Sequence, residues 1–232
     1  MKLALLGYGK MGKTIEALAV AKGHEIVYKK GSGFEDGKLA DADAAIEFSI
    51  PEAAVSNIKN CLETNIPIVS GTTGWLSDYA EMVKLCETRN GSFIYASNFS
   101  VGVNLFFSIN EYTAKLLAPW KEYLVGVEEI HHTQKQDAPS GTAITIAEGI
   151  IKHSDKKSWT MEIPSEENIP IEARREGDVK GTHIVDYVSE IDAISLKHEA
   201  HTRDGFAKGA ILAAEWLVDR KGVYSMKDVL GI

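Results

Sequence analysis

Short apolar runs alternate with amphipathic segments over the first hundred residues of the chain. Runs with strand-like composition lie at 3–6, 25–28, 44–48, 66–69 and 93–96. Between them, the segments 11–22, 51–64 and 76–89 place apolar residues three or four positions apart, which is the spacing of a helix with one buried face. Because strands alternate with helices, this half is predicted to form a parallel sheet joined by crossover helices.

The pattern changes near residue 100. Helical spacing recurs at 103–117 and 140–153, and β-rich segments lie at 123–131, 182–187 and 192–200. This mixture predicts a second, α+β domain that spans 100–205. The stretch 154–181 is polar and rich in Glu, Lys and Pro, so it is predicted to be a mobile connection or excursion. A last helix over 206–220 has a strong apolar face and is expected to pack back on the first domain, which therefore comprises 1–99 and about 206–232.

The charge and the cysteines restrict the class of protein. A net charge of −8 argues against a nucleic-acid or anionic membrane partner, because such partners require a broad cationic surface. Cys61 and Cys86 lie in helical segments, which favours buried thiols in a reducing compartment and predicts a cytoplasmic protein. No apolar run has the length of a membrane span.

The first strand leads directly into a glycine-rich turn that opens a helix. Its sequence is G-x-G-x-x-G, the pattern in which a helix N-terminus binds the pyrophosphate of a dinucleotide. The fold class is therefore predicted to be α/β, with a Rossmann-type first domain. A glycine-rich turn without a ligand is the alternative. The predicted cofactor contacts here are Gly7, Tyr8, Gly9, Lys10, Met11 and Gly12.

The second strand ends in Tyr28-Lys29-Lys30, where many NAD-binding proteins carry an acidic residue that reads the ribose. Lysines can instead pair with a 2′-phosphate, so NADPH is the preferred cofactor, with NADH as the alternative and Lys29 as the predicted contact. The pair can equally be two solvated surface lysines.

Two further loops follow strands at their carboxyl ends, where ligands collect in parallel sheets. They are predicted to line the nicotinamide half of the cofactor site, although both can also be ordinary turns. Their candidate residues are Gly71, Thr72, Thr73, Ala96, Ser97, Asn98 and Phe99.

A cationic loop near the middle of the chain carries the substrate chemistry. His131, His132 and Lys135 lie within five positions, just before the helix start Ser140-Gly141-Thr142. Free N–H groups and cations at one place suit a dicarboxylate, and a histidine can exchange a proton near neutral pH. The alternative, a capped helix with two surface histidines, accounts for Ser140 but not for the clustered cations.

The histidines of the second half also raise the question of a metal site. His198 and His201 are one residue too close for H-E-x-x-H, and they lie at a predicted strand end rather than on one helix face. No metal site is predicted. Arg203 remains a candidate second anion contact.

These residues together resemble the dihydrodipicolinate reductase family of the diaminopimelate route to lysine. The most specific match is the stretch 131–143, which agrees with H-H-x-x-K-x-D-A-P-S-G-T-A at every fixed position. Further matches lie at 71–74, 98–102, 175–183 and 206–210. The family often has an acidic residue where Tyr28 stands and a basic residue where Lys29 stands, so the departure at Tyr28 favours NADPH.

The resemblance implies an NAD(P)H-dependent reduction of a cyclic imine dicarboxylate. In it, His131 is the catalytic histidine, Lys135 the proton donor, and His132, Gly141 and Thr142 bind the substrate carboxylates. It also implies a homotetramer, with the second domain serving for substrate binding and oligomerisation. A non-catalytic nucleotide sensor or another small-substrate dehydrogenase would share the first domain.

Overall fold

The computed structural model describes all residues from Met1 to Ile232, and the chain divides into two compact units. The first unit comprises Met1–Val101 and Asp204–Ile232, and the second comprises Gly102–Arg203. The borders predicted from the sequence lie within two residues of these.

The first part of unit 1 alternates strands and helices. Its elements are β1 (Lys2–Leu6), α1 (Lys10–Ala21), β2 (Glu25–Gly31), β3 (Phe34–Gly37), β4 (Ala44–Glu47), α2 (Pro51–Glu63), β5 (Ile68–Ser70), α3 (Tyr79–Thr88) and β6 (Ser92–Tyr95). The predicted alternation of strand and helix is thus confirmed.

Unit 2 follows and contains a mixed sheet with two main helices. Its elements are α4 (Val101–Leu117), β7 (Leu124–His131), α5 (Gly141–Ile151), β8 (Ser158–Thr160), β9 (Asn168–Arg175), β10 (Thr182–Val188) and β11 (Ala193–Glu199). The strand order is β11-β10-β7-β9-β8, with β10 antiparallel to both neighbours and β9 parallel to β7.

The chain then returns to unit 1 with α6 (Asp204–Leu217), β12 (Gly222–Tyr224) and α7 (Met226–Leu230). The sheet of this unit has the order β12-β6-β5-β4-β1-β2-β3, and only the β2–β3 pair is antiparallel. As expected, α6 packs on the first domain: Ile211 and Leu217 lie in one core cluster with Leu5 and Ile94. A second cluster on alternate residues of the same strands packs against α2 and α3, so the parallel sheet is covered on both faces.

Two strands of unit 1 were not predicted. β3 is exposed along its whole length and has no alternation of apolar residues, and it pairs with β2 as an antiparallel strand. β12 has only three residues. Neither strand carries the periodic burial on which a sequence-based prediction depends.

The prediction of a mobile excursion over 154–181 is wrong. β8 and β9 lie within it, and β9 pairs in parallel with the central strand β7. Ile169 and Ile171 are buried in the core of unit 2, whereas Glu172 and Arg174 face outward. Pro170 separates the two isoleucines and charged residues follow them, so the alternation of buried and exposed positions was not evident in the sequence.

Two smaller expectations also have outcomes. Cys61 and Cys86 are free, buried thiols, as predicted. None of the helices is long and apolar enough to cross a bilayer.

Candidate active site

All predicted cofactor residues lie in unit 1, and all predicted catalytic and substrate residues lie in unit 2. The glycine-rich turn joins β1 to α1. Gly7 has φ +101°, and a Cβ there would lie 1.9 Å from the carbonyl oxygen of Phe48. A Cβ on Gly12 would lie 2.3 Å from the carbonyl oxygen of Gly7, so both positions require glycine.

The middle glycine of the motif has a different environment. A Cβ on Gly9 would meet nothing within 4 Å, and Gly9 begins α1 without a side-chain cap. No acidic residue lies in the first turn of the helix. The open side of the turn and the uncapped N–H groups therefore fit the pyrophosphate of a dinucleotide.

Lys29, the predicted reader of the ribose, is not a free cation. Its ammonium donates a hydrogen bond to Glu16 Oε1 at 2.9 Å and lies 5.2 Å from the ring centroid of Tyr8. The hydroxyl of Tyr8 donates to the other oxygen of Glu16. These hydrogen bonds, first from Tyr8 and then from Lys29, lower the pKa of Glu16, while the bond to Glu16 raises the pKa of Lys29.

The loop after β5 is fixed by a buried carboxylate that the sequence analysis did not identify. Glu47 is fully buried and accepts hydrogen bonds from Ser70 Oγ at 2.7 Å and Thr72 Oγ1 at 2.8 Å. Thr72 Oγ1 also accepts from the backbone N–H of Ser49 at 2.8 Å. The hydroxyl of Thr72 is thus engaged inside the protein, and Thr73, which is exposed, is the freer side chain of the pair.

The loop after β6 also contains both buried and exposed residues. Phe99 is buried in the core of unit 1, so only its backbone can face a ligand. Asn98 is also buried, and its Oδ1 accepts from the N–H of Ser100 at 2.9 Å. Ser97 is exposed and Ala96 partly so.

In unit 2, the cationic loop connects β7 to α5. His131 is the last residue of β7 and is buried, whereas His132 is partly exposed. Ser140 caps α5 by accepting a hydrogen bond from Ala143 N at 3.2 Å. Gly141, the first residue of the helix, is exposed and would accept a Cβ without contact. Thr142 follows it and is partly exposed.

A second buried carboxylate, Glu129, organises this loop. It lies two residues before His131 on β7, so both side chains face the same side of the sheet. Its two oxygens accept from Ser140 N at 3.0 and 3.2 Å, and Oε1 also accepts from Arg175 Nη2 at 3.1 Å. Oε2 lies 3.4 Å from Nδ1 of His131 and 3.7 Å from Nε2 of His183.

Arg175 connects the sheet to the loop. Besides Glu129, its guanidinium donates to the carbonyl oxygens of Asp137 at 2.6 Å and Lys135 at 3.3 Å. Lys135 in turn donates to both carboxylate oxygens of Asp137, each at 2.8 Å, which helps to lower the pKa of Asp137 against the opposing effect of burial. The loop is therefore held in shape by contacts that begin at Glu129.

The two buried histidines are kept neutral by their surroundings. Burial lowers the pKa of His131, and Lys135 and Arg175 lower it further, whereas Glu129 acts in the opposite direction. Burial lowers the pKa of His183 to about 3, with smaller contributions from the neighbouring His131, His198 and Lys135. The rings pack edge to face with centroids 5.1 Å apart. Nδ1 of each ring is buried without a hydrogen-bond partner.

A further group of cations lies around Asp178. The hydrogen bond from Lys180 lowers the pKa of Asp178 most, and Arg203 and His132 lower it further. Arg203 and His132 therefore both lie near one carboxylate, a proximity that the sequence alone does not determine.

One set of side chains has the spacing of a metal site. Ligand atoms of Glu129, His131 and His183 lie within 4.8 Å of one another. The carboxylate, however, already accepts from a guanidinium and a backbone N–H, and Lys135 contributes a second positive charge. A cation would have to displace or face these groups, so the arrangement suits an anion-binding site better.

Comparison with known proteins shows which family the chain belongs to. Residues 1–99 match the family model described as dihydrodipicolinate reductase, N-terminus, and residues 102–230 match the one described as dihydrodipicolinate reductase, C-terminus. The chain belongs to the dihydrodipicolinate reductase family. This confirms the family resemblance noted in the sequence.

Relatives extend the match over the whole chain. A 4-hydroxy-tetrahydrodipicolinate reductase of Christiangramia forsetii is 50% identical over 99% of this chain and 98% of its own. One from Archaeoglobus fulgidus is 36% identical over 99% of this chain and 100% of its own. The structure of a dipicolinate-bound dihydrodipicolinate reductase from Paenisporosarcina sp. TG-14 has a TM-score of 0.78 at 22% identity, with 97% of both chains covered. The predicted fold class is thereby confirmed.

The residues that hold the site together were not predicted from the sequence. The sequence pattern could have indicated Glu129, since it is a charged residue at an inward-facing position of a predicted strand. Arg175 was noted only as part of the family match, and Glu47 was treated as an ordinary strand residue. Their partners lie 11 to 46 positions away, beyond the reach of local patterns.

Proposed function

We propose that this protein reduces 4-hydroxy-tetrahydrodipicolinate to tetrahydrodipicolinate with a nicotinamide dinucleotide, in the diaminopimelate route to lysine. The observation that carries the proposal is the cationic loop over 131–142, built on Glu129 and Arg175, in a chain of this family that also has a dinucleotide-binding turn. The overall reaction consumes one hydride and one proton and releases water.

The substrate is a dicarboxylate, and the proposed binding residues suit it. His132, the start of α5 at Gly141 and Thr142, and the nearby Arg203 offer donors and positive charge for carboxylates. Since Gly141 is exposed and has no side chain, a carboxylate can approach the backbone of the helix start.

His131 and Lys135 are the proposed catalytic residues. The cofactor, when bound, supplies the hydride. When the hydride reaches the substrate, negative charge develops on the substrate ring, and the ammonium of Lys135 stabilises it. Lys135 is also the proposed proton donor. Burial lowers the pKa of His131, which favours the neutral ring, and Nε2 is the atom proposed to exchange a proton. Glu129 lies beside Nδ1, on the other side of the ring.

The proposed cofactor contacts are Gly7 to Gly12, Lys29, Gly71 to Thr73 and Ala96 to Phe99. Buried side chains such as Phe99 would contribute only their backbone. NADPH is the preferred cofactor and NADH the alternative, because two lysines and no acidic residue end the second strand.

We also infer a cytoplasmic homotetramer. One face of the sheet in unit 2 packs on α5, and the opposite face carries the exposed pair Leu124 and Val188 at one end, beside charged residues such as Arg174 and Glu128. Exposed apolar residues of this kind support a subunit contact. The two free cysteines are compatible with a reducing compartment. Analytical ultracentrifugation tests the tetramer.

The test of the reaction follows NADPH and NADH absorbance with freshly generated substrate. Consumption of either cofactor that requires both the substrate and the protein supports the proposal. Nucleotide binding without turnover would favour a non-catalytic sensor. Turnover only with an amino acid or a semialdehyde would favour another dehydrogenase with this architecture.

A further inference from the structure

A cluster in unit 1, consisting of Tyr8, Glu16 and Lys29, lies where the dinucleotide-binding turn meets the end of β2. Glu16 is on the second turn of α1, and its two carboxylate oxygens accept from the phenol of Tyr8 and the ammonium of Lys29. The ring of Tyr8 packs edge to face on Phe34 of the β2–β3 hairpin, with centroids 5.7 Å apart. Three elements are therefore linked through one carboxylate.

The charges around Lys29 are already balanced. Besides Glu16, Asp36 lies opposite Lys29 in the register of β2 and β3 and also raises the pKa of Lys29. The neighbouring Lys30 donates to the neutral side-chain amide of Asn57 at 2.9 Å. Lys29 thus has two acidic neighbours, whereas Lys30 is held by a group without charge.

This arrangement has opposite consequences for the two cofactors. A 2′-phosphate carries a charge of about −1.5 to −2 at neutral pH, so it needs a cation whose charge is not neutralised, and it is repelled by a nearby carboxylate. A free 2′-hydroxyl needs an acceptor, which is the role of the acidic residue in proteins that prefer NAD. Glu16 therefore opposes the phosphate and supplies a carboxylate that β2 itself lacks at this end.

We propose that Glu16 is a specificity-determining residue: by holding Lys29, it weakens the binding of a 2′-phosphate and keeps NADH usable beside NADPH. The inference rests on the dinucleotide-binding part of the proposed function and does not depend on the identity of the reduced substrate. Lys29 attracts the 2′-phosphate of NADPH, and Glu16 reduces that attraction.

The test measures the binding of adenosine 2′,5′-diphosphate and of 5′-AMP by isothermal titration calorimetry, because these two probes differ only in the 2′-phosphate. Glu16→Gln removes the charge with little change in shape. We expect it to increase the affinity for the diphosphate about fivefold, which is about 1 kcal/mol, and to change the affinity for 5′-AMP less than about twofold. NADP⁺ and NAD⁺ should show the same change in their ratio.

Two variants make the result specific. Glu215→Gln is the matched control, because Glu215 is also a partly exposed carboxylate, 26% against 25%, that pairs with Lys22 and His24. It should leave both affinities unchanged. In a Lys29→Ala background, the effect of Glu16→Gln on diphosphate binding should fall to the part that comes from direct repulsion between the carboxylate and the phosphate, because no cation is left for Glu16 to hold. The effect should also shrink at about 0.5 M salt.

The proposal would be overturned if Glu16→Gln left the ratio of the two affinities, for the diphosphate and for 5′-AMP, unchanged, or if it increased both affinities equally. Glu16→Ala must shift the ratio in the same direction as Glu16→Gln, which guards against an effect of the new amide. Because the probes bind without turnover, a shifted ratio in a protein that reduces no imine would leave this inference standing and refute only the reaction. Turnover with an unshifted ratio would refute only the inference.

Discussion

Arg175 and Glu129 lie 46 positions apart in the chain and meet at 3.1 Å on neighbouring strands, where the guanidinium also donates to two carbonyl groups of the loop that carries Lys135. Glu129 is fully buried and Arg175 is 20% exposed at its side chain. One ion pair thus fixes both the carboxylate beside His131 and the backbone beside Lys135.

Arg175→Met should destabilise unit 2 and loosen the loop. Removing one partner leaves the charge of Glu129 buried without its counterion, which typically costs about 3 kcal/mol or more. Arg174→Met is the matched control, because Arg174 is adjacent in the chain but 48% exposed and pairs with surface carboxylates, so its loss should cost less than about 1 kcal/mol. Urea unfolding measures both, and equal midpoints would contradict the role given to Arg175.

His131→Gln and Lys135→Ala should each lower kcat at least ~10²-fold, the usual scale for the loss of a proton-transfer group, while nucleotide affinity stays largely intact. Steady-state kinetics and nucleotide titration test the two statements separately. His153→Gln and Lys152→Ala, at the end of α5, are controls that should retain activity. Unchanged turnover in both loop variants would refute the assigned chemistry.

Stability should fall as the pH is lowered from 7.5 to 5. The pKa of His183 is about 3 in the folded protein against 6.5 ordinarily, so below about pH 6.5 the unfolded chain binds a proton that the folded chain does not. Each histidine that is protonated in the unfolded chain but neutral in the folded chain then lowers the free energy of unfolding by about 1.4 kcal/mol per pH unit. The pKa values of His131 and His198 are lowered too, and they act with the same sign.

The comparison that isolates this effect is His183→Asn against His153→Asn. Urea midpoints measured across that pH range should depend less steeply on pH in the first variant and as in the wild type in the second. The same steepness in all three proteins would show that His183 is not the source.

Gly209→Ala should strongly destabilise unit 1. A Cβ on Gly209 would lie 1.7 Å from the carbonyl oxygen of Phe99, so α6 would have to move away from a core residue, at a cost of about 2–3 kcal/mol or more. Gly205→Ala in the first turn of the same helix is the control, since its Cβ would lie 3.2 Å from the Ser100 hydroxyl group, which can rotate. Thermal unfolding should separate the two variants clearly.

Much of the fold and part of the site could be predicted from local patterns. The glycines at 7, 9 and 12 and the cluster from His131 to Lys135 are contiguous in sequence, and their chemistry depends on neighbours only a few positions away. β9 was not predicted because a proline separates its two buried isoleucines and charged residues follow them. β3 was not predicted because all of its residues are exposed, so its sequence shows no buried alternation.

The hydrogen-bond and ion-pair partners of individual side chains could not be predicted from the sequence. Lys29 reads as a free cation in the sequence, yet it is paired with Glu16, because α1 brings the second turn of the helix back over the end of β2. Thr72 reads as a ligand contact, yet its hydroxyl is bound to Glu47.

The sequence by itself determined the alternation of strands and helices, the turn that suits a dinucleotide and the cations that suit a dicarboxylate, because each of these is a property of adjacent residues. Only the tertiary structure decided which charges meet. The pairing of β7 with β9 and β10 places Arg175 and His183 beside Glu129, and the cost of burying a carboxylate then requires those partners at that point.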